Sequence, residues 1–199
     1  VPLILGNLLQ QLYNTADSVI VGNFVGSRAL AAVGAGTSLI NLIISFATGV
    51  ATGTGVVVSQ YLGAKMHDGV KTAVHTAFAI ALILGVALSL GGALLARPLL
   101  IWMDTPEEVL PDAVGYLRIY FGGLVFSILY NMAAGILNAA GNSRRSLLYL
   151  ACASVTNIAL DLLFIEVLNF GVAGAAWATN ISQLLSGALA VAFLVKTKE

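Results

Sequence analysis

Long stretches without a charged side chain constrain this chain more than any other feature. No Asp, Glu, Lys or Arg occurs in residues 29–64, 72–96, 119–143, 146–160 and 167–195, and Asp17 is the first acid. A helix that crosses the hydrocarbon layer needs about 20 apolar residues. The stretches therefore predict six transmembrane spans, at roughly residues 1–22, 33–60, 73–96, 113–138, 146–166 and 172–194.

The composition also favours a membrane protein over a soluble domain. Hydrophobic residues make up 59% of the chain and charged residues 9%, whereas soluble domains carry about 25% charged residues. The apolar runs do not alternate with polar residues, which favours helices over a transmembrane barrel. The single cysteine argues against a disulfide scaffold, and the zero net charge gives no reason to expect nucleic acid as a partner. We expect an all-α integral membrane protein in contact with the lipid bilayer.

The distribution of Lys and Arg predicts the orientation of the spans. Cytoplasmic loops of membrane proteins carry an excess of these residues. We therefore expect the loop between spans 2 and 3, the loop between spans 4 and 5, and the C-terminal end to be cytoplasmic, in a multi-pass protein of the cell membrane. The residues that carry this prediction are Lys65, Lys71, Arg144, Arg145, Lys196 and Lys198.

The first residues already belong to an apolar run, and the chain does not begin with Met. We therefore expect it to begin inside the first span, with further sequence before it. No basic segment precedes the apolar run, so a signal peptide is not expected.

Two acids fall inside predicted spans. Asp17 lies late in span 1 and Asp161 late in span 5. Both spans are predicted to run outward, so both carboxyls should lie in the outer half of the membrane. An ionisable side chain at this depth is costly and usually faces a cavity or a partner. We expect the two acids to belong to one functional site.

Polar side chains at helical spacing accompany both acids. Such groups find no water in hydrocarbon, so the polar faces should converge on a hydrated cleft. The alternative is that single Asn, Ser and Thr residues only hydrogen-bond between helices. The amide side chains predicted to line a substrate cleft are Asn7, Gln10, Asn14, Asn41, Asn131 and Gln183.

The chemistry of paired carboxyls suggests ion coupling. Two acids deprived of water can share a proton. Alternatively, Asp17 and Asp161 together with the oxygens of Asn157 and Thr179 can form an all-oxygen site for a hard cation. Phosphate-loop, hydrolase and zinc-protease motifs are absent from the sequence, so we expect no enzyme, no cofactor beyond a coupling ion and no metal other than Na⁺.

Span 2 contains glycines at helix-packing intervals. Gly49 and Gly53 are four residues apart, and Gly55 lies beside them. Small residues at this spacing let helix backbones approach closely in membranes. The sequence predicts close packing of span 2 at these positions.

Several segments, in order, resemble the multidrug and toxic compound extrusion (MATE) transporters. The resemblance begins at Pro2 and continues through Leu-Tyr-Asn-Thr-Ala-Asp17-Ser-Val-Ile-Val-Gly22. It continues with Ser-Gln-Tyr-Leu-Gly-Ala at 59–64, Asn-Ala-Ala-Gly-Asn at 138–142 and Asn-Ile-Ala-Leu-Asp at 157–161. It covers the whole chain but only the first of the family's two six-helix lobes.

The resemblance implies a function. Family members export amphipathic, often cationic drugs and toxic compounds by alternating access, in antiport with H⁺ or Na⁺. The family's N-lobe cation site maps onto Asp17, Asn157, Asp161 and Thr179, and a helix 1 proline implicated in bending maps onto Pro2. The implied partners are a drug-like small molecule and a C-terminal lobe that this chain lacks.

Two other functions remain open from the sequence. One is a flippase for lipid-linked precursors in the same superfamily, which would need a cationic cavity that only Arg118 could supply. The other is a membrane scaffold that does not transport.

Overall fold

The computed structural model describes the backbone of residues 2–196, with all side chains in that range except those of Pro2, Leu3 and Asn7. The predictions for the side chains of Pro2 and Asn7, and for the tail residue Lys198, therefore lie outside the described residues. All regular secondary structure within the described range is helical.

Seven α-helices account for nearly all of residues 2–196. Because lipid offers no hydrogen-bond partner, the backbone of a spanning segment must satisfy its own N–H and C=O groups, which a helix does. The helices are α1 (Pro2–Phe24), α2 (Ser27–Gly63), α3 (His67–Trp102), α4 (Leu110–Gly122), α5 (Leu124–Ala139), α6 (Ser143–Asp161) and α7 (Val172–Lys196). A π-helical segment (Leu162–Val167) continues α6.

The helices have the length and apolar character of membrane spans. Within the described range, four segments are long and apolar enough to cross a membrane: α2, α3, α6 with its π-helical segment, and α7. α4 and α5 together have the same character and form a bent fifth candidate span. α1 has 23 residues, about 35 Å at 1.5 Å per residue, which exceeds the hydrocarbon thickness of about 30 Å. Its amide and acid side chains make it more polar than the others. The predicted all-α membrane fold is confirmed.

Two predicted spans are not single regular helices. The span predicted at 113–138 consists of α4 and α5, whose axes differ by 48° across a break at Gly123. The span predicted at 146–166 changes from α-helix to π-helix after Asp161. The length of a charge-free stretch predicts where a span begins and ends. It does not predict kinks or changes of helix type within the span.

The long helices extend past the predicted limits of their spans. α2 begins at Ser27 and ends at Gly63, and α3 runs from His67 to Trp102, through Pro98. Pro98 removes one backbone donor but does not end the helix, as is common in membrane spans. Charged residues end the hydrocarbon-spanning part of a helix, whereas the helix itself continues into the headgroup region.

The bundle is held together by small residues and a few large side chains. α5 packs against α2, α3 and α7, while α6 packs against α1 and α7. Phe121, Leu117 and Leu124 are fully buried where α4 and α5 meet the bundle. Outward positions of α3 such as Leu94, 76% exposed, form an apolar face suited to lipid.

Of the three glycines of α2 predicted to pack closely, only Gly55 lies at the close helix contact of the described structure. A Cβ added at Gly49 or Gly53 would meet no described atom within 4 Å, so the prediction for these two glycines is wrong within the described structure. The approach occurs at Gly135 of α5, where a Cβ would lie 2.8 Å from the carbonyl oxygen of Ala51. Gly55, whose Cβ would lie 3.2 Å from the Gly135 carbonyl oxygen, shares this contact.

We expect Gly135→Ala to destabilise the protein by about 1–3 kcal/mol, because the added methyl group overpacks a backbone contact. Gly53→Ala is the matched control. It adds the same methyl group to an open helix position, where Ala is favoured over Gly by about 1 kcal/mol. The measurement is the melting temperature of the purified protein in detergent. Equal melting temperatures for the two variants would show that α2 and α5 are not in close contact.

Candidate functional site

The two intramembrane acids lie next to each other. Asp17 is on α1, two turns before that helix ends, and Asp161 is the last α-helical residue of α6. Their carboxyl groups are close enough to interact directly. Asp161 has no exposed surface, and Asp17 is partly buried. Packing of α1 against α6 brings the pair together from positions 144 residues apart in the chain (161 − 17 = 144).

Asn157 and Thr179 join this acid pair. Asn157 lies one turn before Asp161 on α6, so the two side chains share a helix face. The Asn157 amide donates to the Thr179 hydroxyl at 3.4 Å, and that hydroxyl donates to the Ala175 carbonyl at 3.0 Å. The structure thus brings all four residues predicted for cation binding to one place. Their role as cation ligands remains a prediction.

Several oxygens of this cluster have no donor. Among the described residues, none donates to Asp17 Oδ1, to Asn157 Oδ1 or to either carboxyl oxygen of Asp161, although all four atoms are buried. A buried acceptor without a donor costs about 1–3 kcal/mol, and more when it is charged. Two carboxylates cannot satisfy each other, because neither has a proton to donate. A proton or a cation between them removes this cost.

The donor set fits a hard monovalent cation or a proton. Carboxylate, amide and hydroxyl oxygens are hard ligands. Among the residues whose side chains are described, no group of three or more His, Cys, Asp or Glu could hold a metal ion. Only two carboxylates contribute, fewer than the acidic ligands that Ca²⁺ sites of proteins commonly gather.

The backbone changes its winding directly after Asp161. Residues 162–167 form a π-helical turn, and Ile165 of this turn is buried. π-helical turns inside α-helices are rare and often lie at functional sites. The sequence contains no pattern that predicted this turn, since its Leu-Leu-Phe-Ile-Glu-Val run suits an ordinary helix equally well.

A polar cavity of about 330 Å³ lies beside the acid pair. Gln10, Asn14, Asn41, Asn131 and Gln183, five of the six predicted cleft residues, line it, and the sixth is Asn7, whose side chain is not described. The convergence of polar faces is therefore present. The cavity is also lined by Tyr13, Thr48, Thr52, Tyr120, Ser127, Tyr130, Asn138 and Ser146.

The acids themselves do not line this cavity, which corrects the expectation of one shared cleft. Tyr13 of α1 lies between the two regions: its hydroxyl is near Gln10 and Gln183 of the cavity and interacts with Asp17. Tyr13 was not among the residues predicted from the sequence, because only acids, amides and small hydroxyl side chains were counted as polar. The signal was present, since Tyr13 falls three residues after Gln10 and four before Asp17, on the same helix face.

Basic side chains are absent from the cavity wall as far as the structure describes it. Arg118 of α4 is exposed, consistent with a side chain that reaches toward the headgroups. Arg28 pairs with Asp112 at 3.2 Å, which ties the start of α2 to the start of α4 at one end of the bundle. A cavity without cations disfavours the lipid-precursor flippase.

Comparison with known proteins shows the family of this chain. The family model MatE matches residues 2–163. The chain belongs to the MatE family. The MATE resemblance seen in the sequence is therefore confirmed.

Relatives of known sequence and structure agree with this assignment. The probable multidrug resistance protein YpnP of Bacillus subtilis (strain 168) is 32% identical over 99% of this chain, and YoeA, a probable multidrug resistance protein of the same strain, is 33% identical over 100%. A crystal structure of MATE in the bent conformation is 32% identical, covers 100% of this chain and superimposes with a TM-score of 0.92.

The chain accounts for less than half of these relatives. It spans 44% of the length of YpnP and of YoeA, and 44% of the crystallised MATE chain. This share is consistent with one lobe of a two-lobe membrane transporter.

We expect Asp161→Asn to raise the melting temperature in sodium-free buffer at alkaline pH. The amide removes a charge from the buried pair and adds N–H donors beside Asp17, which relieves a cost of about 1–3 kcal/mol. Glu166→Gln is the matched control, because it neutralises an exposed carboxylate five residues later. A lower melting temperature for Asp161→Asn under these conditions would contradict the account of unsatisfied acceptors.

Proposed function

We propose that this chain is the N-terminal lobe of a multidrug exporter of the cell membrane. The exporter moves amphipathic, often cationic compounds outward by alternating access, in antiport with H⁺ or Na⁺. The observation that carries the proposal is the group of four buried acceptor oxygens on Asp17, Asn157 and Asp161 that find no donor among the described residues. The names of YpnP and YoeA support drug efflux.

Cation binding at this group can change the conformation of the lobe. When the cation leaves, two buried carboxyls repel each other and lack hydrogen bonds, which favours rearrangement of α1 relative to α6. When the cation returns, Asp17 and Asp161 are held together. Tyr13 lies between the acids and the cavity, so movement of α1 changes the cavity wall. A ligand shifts such an equilibrium only by its different affinity for the two states, and this site provides that difference.

The cavity wall suits the proposed substrates. Amide and hydroxyl groups alternate with the rings of Tyr13, Tyr120 and Tyr130. Aromatic faces attract cations, and apolar atoms accept the hydrophobic parts of a ligand. The volume of about 330 Å³ is at the lower end of ordinary ligand sites, about 300–1,000 Å³. A second lobe facing this wall completes the substrate path in the proposal.

The proposed orientation follows from the positive residues. Lys65 and Lys71, at the α2–α3 turn, and Arg144 and Arg145, at the start of α6, lie on the cytoplasmic side. The acid pair then lies toward the outer face of the membrane, where it receives the inward-moving cation.

We expect Na⁺ or H⁺ to stabilise the full-length protein through the acid pair. At fixed pH, NaCl should raise the melting temperature relative to choline chloride if Na⁺ is the ion, because saturation at 100 times Kd stabilises by about 2.7 kcal/mol. If H⁺ is the ion, lowering the pH should produce the shift in choline chloride alone. Either shift should vanish in Asp161→Asn and persist in Glu166→Gln.

Efflux from proteoliposomes completes this test. An imposed Na⁺ or H⁺ gradient should drive export of a fluorescent cationic drug by the wild type, and Asp17→Asn or Asp161→Asn should abolish it. Unimpaired efflux by both variants would falsify the proposed coupling site.

We expect Asn41→Leu to impair drug binding without affecting the cation. Asn41 lines the cavity on α2, whereas the acids lie outside the cavity wall. The drug Kd should rise about tenfold, the effect of losing about 1.4 kcal/mol, while the cation-dependent melting shift stays unchanged. Ser45→Leu is the control, since Ser45 lies one turn away on α2 and does not line the cavity. Equal effects of both variants would remove the cavity from the proposed substrate path.

A further inference from the structure

The fourth span is broken at Gly123. α4 ends at Gly122 and α5 begins at Leu124, with axes that differ by 48°. The Gly123 N–H donates to the Tyr120 carbonyl at 3.1 Å, a bond between residues three apart. In a regular helix this N–H would bind the carbonyl of Ile119, four residues earlier. The break therefore leaves the Ile119 carbonyl in need of a donor.

Asn180 of α7 provides that donor. Its side-chain Nδ2 donates to the Ile119 carbonyl at 2.6 Å, and the residue is only 7% exposed. The amide rests directly on the break, because a Cβ added at Gly123 would overlap it. Glycine is thus required at 123 by the close approach of Asn180.

The same turn of α7 reaches the cation site. Thr179, the neighbour of Asn180 in the chain, accepts the hydrogen bond from Asn157. Two adjacent buried residues of α7 therefore make different contacts: Thr179 touches the cation cluster, and Asn180 touches the break of the fourth span. A shift of this turn on cation binding moves both contacts.

The segment before the break carries two tyrosines that face different spaces. Tyr120 lines the polar cavity described above. Tyr116 lines a separate pocket of about 340 Å³ between the α1–α2 turn and the starts of α4 and α7. Their rings lie 6.1 Å apart, and both phenols lie within electrostatic range of Asp17. The angle of α4 at Gly123 therefore sets the position of both phenols relative to the acid pair.

We propose that Asn180 is a positioning residue of the cation site. Its amide couples the turn of α7 that carries Thr179 to the break at Gly123, so that cation binding and the angle of α4 change together. This inference rests on the proposed cation coupling. The simpler role, a static cap for a kinked helix, makes different predictions for the following experiment.

The first test measures cation dependence in the reconstituted full-length protein. We expect Asn180→Ala to raise the cation concentration for half-maximal efflux about fivefold or more, the lower end of ordinary coupling between sites. The maximal rate at saturating cation should stay within about twofold, because an excess of cation drives the population to the bound arrangement even when the coupling is weaker. A static cap would lower the amount of folded protein and the maximal rate and leave the half-maximal concentration unchanged.

Ser182→Ala is the matched control for this test. Ser182 is also buried on α7, but among the described residues its hydroxyl bonds only to the Thr179 carbonyl of its own helix. We expect its cation dependence to equal that of the wild type. If the wild type itself shows no cation dependence, the proposed coupling fails. If the wild type and Ser182→Ala show it and Asn180→Ala shows the same half-maximal concentration, only the role of Asn180 is overturned.

A second measurement does not depend on the stability of Asn180→Ala. Spin labels at the exposed positions 118 of α4 and 184 of α7 report the distance between these helices, in a full-length background from which every other cysteine, including Cys152, has been replaced by Ser. We expect saturating cation, Na⁺ or low pH, to change the distance distribution. An unchanged distribution in a protein whose efflux is cation-dependent would overturn the inference.

Discussion

The hydrocarbon core of the bilayer offers no hydrogen-bond partners, so the polar groups of this protein must find their partners within the protein. Backbone groups are satisfied by helices. Side chains must find partners within the bundle, and several of the described hydroxyl groups bond to a carbonyl of their own helix, as those of Thr48, Ser154 and Ser186 do. The cluster of Asp17, Asn157 and Asp161 is different, since it gathers four buried oxygens without a described donor in one place, whereas Asn138 and Gln183 each leave one such oxygen and line the cavity. A cation is the simplest partner that these oxygens can share.

The irregular parts of the backbone lie around this cluster. The π-helical turn begins directly after Asp161, and the break of the fourth span is capped by Asn180, next to Thr179. π-helical turns and helix breaks are the places where the winding of otherwise regular helices differs, and they often lie at functional sites. Elsewhere, contacts such as Gly135 on Ala51 hold α5 close to α2. The molecule thus combines a closely packed frame with a few irregular segments beside the acids.

Much of the site could be predicted from periodicity and charge. Asp17 and Asp161 stand out because ionisable residues are rare within spans, and Gln10, Asn14 and Gln183 fall on helix faces that reach the cavity. Tyr13 and Asn180 were missed for different reasons. Tyr13 shares the face of Gln10 and Asp17, so the pattern contained it. Asn180 becomes important only because Gly123 breaks a helix 57 residues earlier in the chain (180 − 123 = 57), and local spacing contains no information about such a contact.

By itself, the sequence determined that this protein lies in a membrane, the approximate positions of its apolar helices and the residue types of the candidate cation site, because hydropathy and helical period are local properties. Only the tertiary structure decided which polar faces meet and that the acids lie outside the cavity wall. It also decided that Gly55, rather than Gly49 or Gly53, lies at the close contact of α2 with Gly135 of α5. Those outcomes depend on the rotation and depth of each helix. Packing against several neighbours at once sets both, and no single span encodes them.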